Sequence, residues 1–105
     1  MTINELAKMV ADEFKVTMKE EGFESFNEMA KCYWWDAADI RGEISYLAES
    51  IVNKEYDDYV KANGTYSGYA TVVIYDDCSL SGWCDGKYKD MSYRDFKKLV
   101  LSDLR

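Results

Sequence analysis

The residues able to do chemistry in this chain are carboxylates, tyrosines and three thiols, with no histidine among them. That absence removes the most frequent general base, the usual partner of a Ser or Cys nucleophile and a leading zinc ligand. Cys78 and Cys84 are spaced C-x5-C, without the C-x-x-C doublets of zinc sites. With Cys32 they make an odd number, which fits reduced thiols, and the plainest expectation is three small buried side chains. Asp76, Asp77 and Asp85 do not follow an EF-hand pattern. Gly64, Gly68, Gly82 and Gly86 match neither phosphate-loop nor dinucleotide spacing. No cofactor and no metal are therefore expected, and the reading is against an enzyme. A two-carboxylate hydrolase comes third, because any acidic protein contains such pairs.

What remains is charge and aromatic surface. Twenty acidic and thirteen basic residues leave a net charge of −7. Residues 1–64 hold fourteen acids and seven bases, residues 65–105 six of each, so the whole excess falls on the first part. Within the second part, residues 87–105 carry six bases against three acids. Glu20, Glu21, Glu24 and Glu28 surround one expected turn. Asp36, Asp39 and Glu43 share a helical face at i, i+3 and i+7, and Asp57 and Asp58 follow further on. Like charges at such spacing repel by a few tenths of a kcal/mol per pair, roughly, which a partner-facing surface would accept. A solvated face with acids near helix N-termini is the bland alternative. Nine Tyr, three Trp and four Phe exceed what a small core usually needs. Trp35, Tyr46, Tyr56, Tyr59 and Tyr66 alternate with acids and are expected outside; Trp34 and Trp83 are expected in the core.

The elements that must position these residues are marked by caps and periodicity. Thr2 and Glu5 have capping-box spacing, with Met1 and Leu6 as the flanking apolar pair. Ile3, Leu6, Val10, Phe14 and Met18 then form one stripe, closed by Gly22. Ser25 and Glu28 open a shorter helix carrying Phe26, Met29, Ala30, Tyr33 and Trp34. Asp36 or Asp39 caps a third, with Ile40, Ile44, Leu47, Ala48 and Ile51 on one side. Gly42 weakens it by up to ~1 kcal/mol, and Asn63-Gly64 ends it. The period then changes to two over Tyr69–Tyr75. A second strand is read over Cys78–Cys84, a hairpin at Asp85-Gly86 and a return through Lys87–Lys89. Ser92 and Asp95 cap a last helix, with Met91 and Phe96 as its staple.

This order predicts an α+β fold: N-terminal helices packed on a small three-stranded antiparallel sheet, with a C-terminal helix. One domain is expected over 1–105, helical and acidic over 1–64, a β-meander plus helix over 65–105. The apolar runs are far shorter than the roughly 20 residues that span a bilayer, and no leader pattern opens the chain. No membrane partner is expected, and the expected location is cytoplasmic. A helix-turn-helix reader would present the segment from Asp39 to Asn53, whose acids phosphates would repel, so direct nucleic-acid binding is not expected.

Small, acidic, Tyr-rich single domains without an active site resemble the anti-CRISPR and anti-restriction inhibitors of phages and mobile elements. Glu20, Glu21, Glu24, Glu28, Asp36, Asp39, Glu43, Asp57 and Asp58 beside Trp35, Tyr56 and Tyr59 carry that resemblance. It lies in overall character, with no diagnostic motif. It implies a stoichiometric inhibitor of a defence nuclease, a CRISPR effector foremost. Some such inhibitors mimic DNA, laying carboxylates where its phosphates would lie in the nuclease's basic channel, and by that resemblance these twelve residues would form the partner-binding surface. The alternative is a non-enzymatic interaction module or self-associating accessory protein, with a homodimer as one form.

Overall fold

In the computed structural model the described residues are 3–63, 73–74, 79–81 and 91–105. They form four helices: α1 (Ile3–Glu21), α2 (Phe26–Cys32), α3 (Ala37–Asn63) and α4 (Tyr93–Asp103). Three short strands join them: β1 (Val73–Ile74), β2 (Ser79–Ser81) and β3 (Met91–Ser92). The strands lie in the order β1-β2-β3 with antiparallel pairing, Val73 opposite Ser81 and Leu80 opposite Met91.

α1 is the central element, in contact with α2, α3 and α4. Its apolar residues recur at three- and four-residue steps, so Leu6, Ala7, Val10, Ala11, Phe14 and Met18 fall on one buried stripe. Against it α3 sets Ile44, Ala48 and Val52, one turn apart, and α4 sets Tyr93, Phe96 and Val100. Phe26 and Met29 of α2 complete the cluster. Arg41 of α3 lies 5.0 Å above the ring of Tyr93, a cation–π contact between α3 and α4.

The α+β expectation is corrected by this arrangement. Every described core side chain belongs to a helix, and the helices bury their stripes against one another. The described strands run to two, three and two residues. The findings therefore point to a helical fold. Period-two patterning over Tyr69–Tyr75 suggested a broader sheet, whereas the described core is built from helical stripes. Most of that stretch, the Cys78 and Cys84 thiols, the Asp85-Gly86 turn, Lys87–Lys89, Trp83 and Tyr66 lie outside the described residues. So do Met1 and Thr2.

Two further expectations are refined. Tyr56, Tyr59 and Val60, which the sequence allowed either to extend the third helix or to restart it, extend it: α3 is one helix of 27 residues, about 40 Å long at 1.5 Å per residue. Cys32 is exposed with a free thiol, not a small buried side chain. Among the described residues no helix is long and apolar enough to cross a membrane.

Candidate functional site

Four helix ends fall between Met18 and Asp39, and each is shaped by a local backbone solution. α1 ends where Gly22 adopts φ 79°, and the Phe23 amide donates to the Met18 carbonyl at 2.8 Å. That is the six-to-one bond of a Schellman motif, with glycine in the left-handed position it tolerates best. Phe23 turns back onto the core.

α2 opens with a capping box. The Glu28 amide donates to Ser25 Oγ at 3.1 Å, and Glu28 Oε2 accepts from the Glu24 amide at 3.0 Å. The carboxylate thus reaches one residue further back than the usual reciprocal bond to the cap itself. α3 opens with a second box made of two aspartates. Asp36 Oδ1 accepts from the Asp39 amide at 2.9 Å, and Asp39 Oδ2 accepts from the Asp36 amide at 3.1 Å. Asp36 is the cap, and both carboxylates also sit favourably at the positive end of the helix dipole.

Between these boxes α2 must end, and no glycine is available. The Trp34 amide donates to the Lys31 carbonyl at 3.1 Å and the Trp35 amide to the Ala30 carbonyl at 2.9 Å. This is a complete Schellman pair, with Trp34 in the glycine position at φ 59°. A bulky residue there is an outlier, costing roughly 1–2 kcal/mol. The turn sends consecutive side chains opposite ways. Trp35 packs inward, its ring 6.3 Å from Phe14 and from Phe26 and 5.3 Å from Tyr33. Trp34 points out and is 89% exposed. The two tryptophans thus exchange the places expected of them, since Trp34 was assigned to the core and Trp35 to the surface.

Phe14 and Phe26 (5.1 Å apart), Trp35, Tyr33 and Phe23 form an aromatic series running from the core to the surface. Tyr33 is 41% exposed and meets Phe23 edge-on at 5.6 Å. Its phenol ionises above the ordinary tyrosine value, chiefly through desolvation and then through the nearby negative charge of Glu21 and of Cys32. An open groove beside it is lined by Asn27, Glu28, Ala30, Lys31 and Trp35.

The structure divides the twelve sequence-derived residues. Glu20, Glu21, Glu24, Glu28, Asp36 and Asp39 are all exposed on the helix boundaries just described, and Trp35, in the same stretch, is partly buried against the core. Glu43 lies one turn further along α3 and is half-buried. Tyr56, Asp57, Asp58 and Tyr59 belong to the last turns of α3, about 27 Å along the helix axis from Asp39. Asp58 is exposed there, and the side chains of Tyr56, Asp57 and Tyr59 lie outside the described residues. Among the described residues the six corner carboxylates have no ion-pair partner, whereas Asp12 of α1 lies 3.7 Å from Lys8 and 3.9 Å from Lys15. Sequence reasoning missed Trp34 and Tyr33. The one available signal was the short link of three residues, Tyr33 to Trp35, between Cys32 and the Asp36 cap, which leaves little chain for the turn between two helices.

Among the described residues no three Cys, Asp or Glu side chains are grouped as metal ligands. What the corner offers is negative charge and aromatic area, a means of binding. Comparison with known protein families, curated sequences and solved structures gave no match to this chain.

Proposed function

We propose that the chain acts by binding, as a stoichiometric inhibitor of a bacterial defence nuclease, most concretely a CRISPR effector whose basic DNA channel it occupies. The reading rests on one observation: six exposed carboxylates stand at the helix ends of residues 20–39 without an ion-pair partner among the described residues. A channel lined with Lys and Arg to hold nucleic acid attracts such a surface by the same field, and aromatic side chains add contact area. Such a function belongs in the cytoplasm of the bacterial host.

Glu28, Asp36 and Asp39 also have a local task, since each carboxylate caps a helix. That observation favours the second reading, a non-enzymatic interaction module whose acids serve the fold. The clean test therefore uses Glu20, Glu21 and Glu24, whose carboxylates make no capping bond. The triple variant Glu20→Lys, Glu21→Lys, Glu24→Lys should stay folded and lose inhibition of a Cas nuclease at least tenfold. In parallel, the immobilised protein should retain a basic nuclease from a lysate of bacteria carrying CRISPR and restriction systems and release it steeply with salt. Unchanged inhibition by the triple variant refutes the mimicry, and partners indifferent to salt move the assignment to the interaction module.

A further inference from the structure

We propose that Trp34 is the anchor of this surface and that the group it receives is a guanidinium, an arginine side chain of a basic partner protein. The inference rests on the reading above in one respect, that the partner is basic.

Among the described residues Trp34 is the most exposed large apolar side chain, 89% accessible beside the 41% of Tyr33. An indole so placed gains nothing from the core, and it occupies a backbone position where glycine would be stable. Residues kept in such positions are commonly those a site requires, and tryptophan is the residue most enriched at interface centres.

Charge decides what it receives. Residues 20–39 carry six carboxylates and a single base, Lys31. A nucleobase stacked on Trp34 would bring its phosphates among these acids, and an anionic lipid surface meets the same repulsion. A second copy of this chain docking by the same face would set six carboxylates against six. A cation is the complementary group, and tryptophan has the most favourable ring face for one. Arginine fits better than lysine: its planar group stacks on the indole while its fork of N–H donors meets carboxylates in pairs. The same kind of contact already holds Arg41 over Tyr93 inside the fold.

The test uses the full chain with nona-arginine and nona-lysine as probes, of equal charge. The wild type should bind nona-arginine more tightly than nona-lysine, with the Trp34 indole N–H resonance shifting on titration. Trp34→Ala and Trp34→Gly should weaken nona-arginine binding by roughly two- to thirty-fold, and Trp34→Phe should restore part of it. Trp34→Gly should also raise Tm by about 4–8 °C, because glycine suits the left-handed position; lost binding then accompanies a better fold. Equal affinity of wild type and Trp34→Ala for nona-arginine overturns the anchor and leaves the acidic-surface reading standing. Equal affinity of the wild type for the two peptides overturns the guanidinium. No binding of nona-arginine even at low salt overturns both the anchor and the basic-partner reading.

Discussion

Tyr33 shows how closely aromatic and acidic groups are interleaved at this corner. Its ring rests on Phe23 and Trp35, and desolvation, then Glu21 and Cys32, raise its pKa above 10.0. In the unfolded chain the same phenol ionises at its ordinary value, so between the two values the unfolded state has lost a proton that the folded state keeps. The contribution to stability is complete below about pH 10 and is lost as pH rises through the folded pKa. Glu21→Gln should lower the Tyr33 midpoint in an NMR titration of its ring, leaving the desolvation part in place. Tyr33→Phe should remove this part of the alkaline loss. An unmoved midpoint in the Glu21 variant would refute the electrostatic contact. At this scale the sequence was half legible. It identified the acids, and it paired Ser25 with Glu28 because capping chemistry has a fixed spacing. It exchanged Trp34 with Trp35 because left-handed C-caps are recognised by glycine, and here tryptophan fills the position.

At the scale of elements the helices were the readable part and the sheet was not. Stripes at three and four residues specify a burial direction, and Leu6, Val10 and Phe14 are buried as their spacing demands. A period-two run states only that a segment is extended, not how much sheet it joins. Continuity of α3 was the point the sequence left open. Gly42, Asn53 and the acids at positions 57 and 58 each weaken a helix, so the sequence allowed Tyr56, Tyr59 and Val60 either to extend the helix or to restart it. Packing of Ile44, Ala48 and Val52 against α1 outweighs those local preferences in the first half of the helix. Gly42 is then a removable weakness. A Cβ built there meets nothing within 4 Å, and its φ is not in the left-handed region. Gly42→Ala should stabilise the protein by about 0.5–1 kcal/mol, read as a higher midpoint in urea with an unchanged slope. A neutral or destabilising result would place an unseen contact at that position.

For the whole molecule, the uneven charge is the property with the largest consequence. All of the net −7 falls within residues 1–64, and the pairs Lys8–Asp12 and Lys15–Asp12 are exposed one-turn contacts. Such pairs contribute roughly 0–1 kcal/mol, so screening them loses little. Mutual repulsion among the acids destabilises the compact state, and salt relieves it, the Debye length falling from about 10 Å at 0.1 M to about 3 Å at 1 M. The helix dipole points the same way at the end of α1, where Glu20 and Glu21 face its negative pole. Stability should therefore rise with sodium chloride, and Glu20→Lys with Glu21→Lys should raise Tm at low salt while flattening its salt dependence. Each replacement is expected to contribute about 0.3–1 kcal/mol, or several degrees together. The wild type would then bind a basic partner best under the conditions where it is itself least stable, low ionic strength. A Tm that falls with salt would show instead that the acids are compensated within the chain, the six bases of residues 87–105 being the available source. The corner would then be neutralised before any partner arrived, and a partner-binding role for its carboxylates would fail with it.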